Sequence, residues 1–395
     1  MRLSGLRKVS LVLAASVLLA ACGGSGQDTA GGSGGGSDEP LRLGLLLSLT
    51  GPAAAFGIPE RDAVQWKVDQ INGDGGINGR RIEVFVEDDQ TNPTEAAQAA
   101  RSLMVDDKVH AIIGATTGSA TLAVGPLAMA NKVPVVAPNG TIPVTDPKNK
   151  FADWVYRSSI NDLIGVEAAF DLAVKRGGKK MAIFFQEDSY GIQTKERIEG
   201  LAKKAGDVEI VETASAPLTA TEVVAQATRL RNAKPDVIFM QTSSPALGGA
   251  FMRAHQQLGL EQEVWGPGGI TTQATIDASQ GGAEGVLHSA GGVGWDKPTE
   301  GQRKFEEAYA ADGKGEPQGF GEAIGITALN AIVEAVRSID GELSGQAVRD
   351  ALENACPFDT LLRAEGCYSK DDHDGLGTDA GAVLVVQNGK WVTLE

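Results

Sequence analysis

The chain predicts an α/β protein built on doubly wound parallel sheets, and three observations carry that expectation. From Leu41 onward, short apolar runs alternate with helical patterns, the βαβα rhythm of a parallel sheet. Several runs, Leu41–Leu47 and Val237–Met240 among them, are apolar almost without interruption, as strands covered on both faces are. A length of 395 residues exceeds one average core, so two domains are expected.

Taken in order, the expected strands are Leu41–Leu47, Arg81–Glu87, Ala111–Ile113, Val133–Ala137, Lys180–Phe185, Val208–Glu212, Val237–Met240, Glu263–Trp265 and Gly285–Ser289. Helical patterns fall between them at Asp62–Ile71, Ala96–Val105, Leu163–Val174, Lys195–Lys204 and Glu222–Arg231. After Trp295 the rhythm changes to three expected helices, Gln302–Ala311, Glu322–Ile339 and Ser344–Glu353. Val383–Val386 and Lys390–Thr393 flank Asn388-Gly389, the signal of a type I′ hairpin.

The ends and the charge bound the partners. A net charge of −16 with no basic stripe argues against nucleic acid or an anionic lipid surface. Arg2, Arg7 and Lys8 precede the apolar run Val9–Ala20, which is short of the ~20 residues a spanning helix needs. Leu19-Ala20-Ala21-Cys22 then reads as a lipobox, making 1–22 a lipoprotein signal peptide and Cys22 the lipidated residue. The alternative is an ordinary secretory signal with a chance cysteine. Residues 23–40 are rich in Gly and Ser and read as a flexible tether. Together these place the protein outside the cytoplasm, held to the membrane by a lipid anchor only. Export favours a disulfide between the two remaining cysteines, Cys356 and Cys367. Two free thiols or a metal pair are the alternative.

The most specific wording is Ile71–Pro93, INGDGGINGRRIEVFVEDDQTNP. Physically it is a helix end, a glycine-rich turn, a strand and a second turn before a new helix. The pattern resembles the solute-binding proteins of branched-chain-amino-acid-type ABC importers, over Leu41 to the C-terminus. The resemblance implies a type I periplasmic binding protein fold, a Venus-flytrap of two lobes joined by three crossing segments. Carried over, lobe one is 41–157 plus 292–357 and lobe two is 158–291 plus 358–395. It also implies capture of a small polar ligand, by default a branched-chain amino acid, between closing lobes for delivery to a membrane permease. The same fold could bind a non-amino-acid carboxylate, an amide or urea, or serve a ligand-sensing co-receptor.

Candidate site residues lie after the strands, where open α/β sheets bind ligands. Ser119, in Gly114–Thr121, stands at a helix start suited to a carboxylate; capping that helix is the plainer reading. The resemblance assigns Ser119 the ligand carboxylate. It brings in Pro138-Asn139-Gly140-Thr141 beside it, with the Gly140 backbone and Thr141 hydroxyl completing the contacts. It also makes Phe56 a pocket wall and lays Tyr190, in Gln186–Gly191, over the ligand. Two positions depart from the family: Ser243 replaces an aromatic, and Gly268 replaces the acid that neutralises the ligand's ammonium. Glu187, Asp188 or Glu322 would then have to compensate, since an uncompensated ammonium in a dry cleft is costly.

Catalytic motifs do not emerge: Gly-x-Ser-x-Gly, His-Glu-x-x-His and the Walker lysine motif are absent. Gly319-Phe320-Gly321 does not follow an expected strand and reads as a helix start rather than a dinucleotide loop. Asp371-Asp372-His373-Asp374 reads as a solvated loop before a cation site. The expectation is a binding protein without catalytic residues, cofactor or metal.

Overall fold

The computed structural model describes residues 39–285, 287–317 and 319–394. The expected signal peptide, Cys22 and most of the tether lie outside them. Two sheets organise the described chain. The first holds β1 (Leu41–Leu47), β2 (Ile82–Asp88), β3 (Ala111–Gly114), β4 (Val135–Ala137) and β5 (Val155–Arg157). Its order is β2-β1-β3-β4-β5 and every pairing is parallel. The second holds β6 (Lys180–Gln186), β7 (Glu209–Ala216), β8 (Val237–Gln241), β9 (Glu263–Pro267), β10 (Leu287–Gly292), β11 (Ala382–Gln387) and β12 (Lys390–Thr393). Its order is β12-β11-β10-β9-β8-β6-β7, parallel from β6 to β10, with the C-terminal hairpin antiparallel along the β10 edge.

The helices are α1 (Ala54–Gly73), α2 (Pro93–Arg101), α3 (Gly118–Asn131), α4 (Asp162–Lys175), α5 (Ser189–Ala205), α6 (Val224–Asn232), α7 (Pro245–Gln257), α8 (Gln273–Ser279), α9 (Glu300–Ala311), α10 (Phe320–Arg337) and α11 (Gly345–Leu352). Among the described residues no helix is long and apolar enough to cross a membrane.

Both faces of β1 are covered, which explains its unbroken apolar run. Leu41, Leu43, Leu45 and Leu47 join Val64 of α1 and Leu329 and Ile332 of α10 in one core. Leu46 turns the other way, into a core with Ala100 of α2 and Val124 of α3. The second sheet repeats the plan, with Phe184, Ile238 and Met240 against Leu247 and Phe251 of α7. Ile183, Phe239 and Trp265 face Phe170 of α4 and Ile198 of α5.

The Ile71–Pro93 block is a scaffold device. The Asn72 amide donates to the Ile82 carbonyl (2.9 Å) while its Oδ1 accepts the Ile82 N–H (2.8 Å), tying the end of α1 to the start of β2. Asp88 Oδ1 accepts the N–H groups of Leu49 and Gln90, and Asp89 Oδ1 accepts the Ser48 hydroxyl and the Thr91 N–H. The two aspartates thus brace the loop that carries the chain into α1.

Several elements differ from the sequence expectation. Helix α1 starts at Ala54, not Asp62, and runs through Pro59, which lies inside it and gives up one intrahelical hydrogen bond. Strand β5 has three residues, too few to show a pattern. Helix α7 carries a start signal in Ser244-Pro245, with the Ser244 hydroxyl accepting the Leu247 N–H at 3.2 Å. Cys356 and Cys367 form the disulfide expected of them. The segment around it, expected with the second lobe, packs on the first sheet's side: Phe358 and Tyr368 join the core of Leu41 and Leu329. Gly319-Phe320-Gly321 opens α10.

Candidate functional site

A cavity lies where loops from both sheets meet, with about 70 Å³ open to the centre of a water molecule. The first sheet contributes the turns after β1, β3 and β4, as Ala53, Phe56 and Glu60, then Thr116–Gly118, then Pro138–Thr141. The second contributes Gln186, Asp188 and Tyr190 after β6, Ser243 after β8 and Gly269 after β9. Asp162, at the first position of α4, and Phe320 and Ile324 of α10 complete the wall. These turns follow the carboxyl ends of parallel strands, where helix starts and free backbone amides accumulate.

Part of the cavity wall suits an anion. Thr117 precedes α3 without capping it through its side chain, so the first-turn amides keep their donors free of a side-chain partner. Gly118 lets the Thr141 side chain close onto the helix start, because any Cβ there would run into it. Asn139 holds the turn together. Its amide donates to the Ala115 carbonyl (2.9 Å) and Thr121 Oγ1 (3.0 Å), and its Oδ1 accepts the Thr141 N–H (3.2 Å).

The same wall also carries acids. Gly140 has no Cβ, which leaves room for the Asp162 carboxylate against its backbone. Burial pushes the Asp162 carboxyl up to about 7, against the pull of Arg157. Arg157 is itself fully buried and shared with Asp374 at 3.4 Å, Thr145 Oγ1 at 2.7 Å and the Thr141 carbonyl at 2.9 Å. Asp188 caps α5 through the Gly191 N–H (3.0 Å) and accepts the Gln186 amide (2.7 Å). Gln186 Oε1 in turn accepts the Ser243 N–H (2.8 Å) and the Thr242 hydroxyl (3.0 Å). Burial raises the Tyr190 phenol well above its ordinary value, with the negative charges of Asp162 and Asp188 adding to it. No Lys, Arg or His lines this cavity among the described residues.

Of the sequence candidates, Phe56, Asn139, Gly140, Thr141, Tyr190 and Ser243 come together in the wall. Ser119 does not line the cavity; its hydroxyl lies 3.5 Å from that of Thr117, and Thr117 and Gly118 take the wall positions. Gly268 lines a smaller neighbouring cavity, which shares Asp162, Gly269 and Phe320 with the first. Glu187 accepts the Ser215 hydroxyl at 2.9 Å and is not part of the wall. Glu60 and Asp162 escaped the sequence reading. Each is a single acid beside a helical pattern, which resembles a solvated face, although Asn161 before Asp162 was a capping signal.

A family model for periplasmic binding proteins matches residues 40–390. A Leu/Ile/Val-binding protein of Rhizobium johnstonii is 28% identical over 232 residues, 58% of this chain and 62% of its own length. The match thus spans less than two thirds of that relative. A Leu/Ile/Val-binding protein homolog of Brucella melitensis biotype 1 is 24% identical over 356 residues, 90% of this chain and 94% of the relative. Among solved structures, a solute binding protein of an ABC transporter from Rhodopseudomonas palustris BisB5 was crystallised with 3,4-dihydroxy benzoic acid. It matches with a TM-score of 0.78 at 25% identity, over 90% of this chain and 96% of that one.

Proposed function

The chain belongs to the periplasmic binding protein family, and we propose that it captures an α-amino acid for an ABC importer. The observation that carries this reading is the joint presence in one cavity wall of the uncapped start of α3 and the acids Asp162 and Asp188. A carboxylate is stabilised by the amides. An ammonium in a dry site needs a counter-charge, and Asp162 and Asp188 stand in for the acid missing at Gly268. The likeness to Leu/Ile/Val-binding proteins supports the same ligand class.

In this proposal Thr117, Gly118, Gly140 and Thr141 receive the carboxylate, Tyr190 and Asp162 the ammonium, and Phe56 and Phe320 flank the side chain. Lobe one comprises the first sheet with α9–α11 and the disulfide segment; lobe two comprises the second sheet with its hairpin. A ligand touching both lobes favours their closed arrangement, which the permease recognises. Cys22 anchors the mature protein outside the cytoplasm. The protein binds and releases its ligand without chemical change. The relative crystallised with an aromatic acid favours a second reading, a carboxylate lacking the ammonium.

A thermal-shift panel separates the two. Leucine, isoleucine, valine and threonine are compared with the matching carboxylates that lack the amine, and with acetamide and urea. At 100 times its dissociation constant, a true ligand adds about 2.7 kcal/mol of apparent stability. Stabilisation by the amine-free acids or amides alone would reject the amino-acid reading.

A further inference from the structure

Within the cavity wall, Glu60 is an acid that the proposed carboxylate and ammonium contacts leave unused. It is fully buried on α1, with Ala53, Phe56, Phe320 and Ile324 as its apolar companions in the wall. One carboxyl oxygen is accounted for: Thr116 Oγ1 lies 2.7 Å from Oε2. Thr116 Oγ1 donates to Oε2 and itself accepts the Ser48 N–H at 3.0 Å. The other oxygen, Oε1, is buried and has no hydrogen-bond partner.

We propose that Glu60 is a specificity-determining residue, whose Oε1 hydroxyl donates to an oxygen on the distal part of the ligand. Burial raises the carboxyl well above its usual range, and the nearby charges of Asp89 and Glu322 add to this while the Thr116 bond opposes it. That shift favours the protonated form of the carboxyl. Since Oε2 accepts from Thr116, the proton sits on Oε1. A purely aliphatic side chain would leave that donor without a partner in the closed site, and buried polar groups left unpaired discriminate strongly. The cargo class is thus an amino acid with a hydroxyl or amide oxygen beyond its Cβ or Cγ, rather than leucine, isoleucine or valine. This rests on the amino-acid reading for its first probes alone.

The test uses isosteric pairs on the described protein, by isothermal calorimetry: threonine against valine, asparagine against leucine, and 4-hydroxybenzoate against 4-methylbenzoate. The expected result is at least tenfold tighter binding of the oxygen-bearing partner. Glu60→Gln keeps a hydrogen-bond donor at this position and should keep the preference; Glu60→Leu should abolish it. Equal or tighter binding of the apolar partners by the unaltered protein would overturn the proposal, as would an unchanged preference in Glu60→Leu. Binding of the benzoates alone, with the hydroxyl preferred, would reject the amino-acid reading and leave the role of Glu60 standing. Binding of neither class would overturn both.

Discussion

Replacing Asp162 with Asn should stabilise the unliganded protein at alkaline pH while weakening its grip on an amine. The carboxyl titrates near 3.8 when free and about 7 in the fold, because burial disfavours its charge more than Arg157 favours it. Below the lower value both states are protonated and no stability is lost. As pH rises through this window the unfolded chain releases its proton first, so stability falls. Between pH 5 and pH 8 the loss amounts to about 2.5 kcal/mol, on the linkage relation and a cost of about 1.4 kcal/mol per unit. Asp162→Asn removes this slope, whereas the other titrating groups remain common to both proteins. Arg157 keeps Asp374 at 3.4 Å and its carbonyl acceptors, so the substitution does not strand a buried cation. Urea unfolding at pH 5, 6.5 and 8 reads the difference directly. Stability curves that run parallel for the two proteins across that range would refute the argument.

Two further outcomes test the scaffold around the site. Gly118→Ala pushes a methyl group into Thr141; overpacking of this kind costs about 1–3 kcal/mol, and ligand affinity should fall at least tenfold by calorimetry, an unchanged affinity refuting the close approach. The double variant Cys356→Ala, Cys367→Ala opens a loop with a sequence separation of 11, which on the chain-entropy model lowers unfolding stability by about 3 kcal/mol; an equal denaturation midpoint would show that the bond constrains little.

Much of the scaffold was legible because its signals are local. An apolar run such as Leu41–Leu47 needs only burial on both faces, and Asn388-Gly389 fixes a hairpin by turn geometry alone. The six site candidates that converge sit in turns or first helical turns that follow strands, where position along the chain predicts position in the sheet. Ser119 stands outside the cavity wall because one residue along a helix start rotates a side chain by about 100°, a shift no spacing argument resolves. Asp162 follows β5, a strand of three residues that leaves no periodicity to read. Glu60 becomes distinctive only once Thr116, 56 positions away in sequence, closes over it. Buried acids of this kind are defined by what the fold brings to them.

The C-terminal hairpin also bears on how the chain is made. All five strands of the first sheet are present once Arg157 has left the ribosome. The second sheet has its parallel strands by Gly292, yet β10 gains its outer neighbour only when Ala382–Gln387 arrives. Until that segment docks, the strand has unpaired amides and carbonyls along this side, the kind of edge that recruits other chains. Truncation by a dozen residues would leave the ligand-facing turns intact in sequence and the sheet behind them open, making the final strands a checkpoint on whether a newly exported copy is sound.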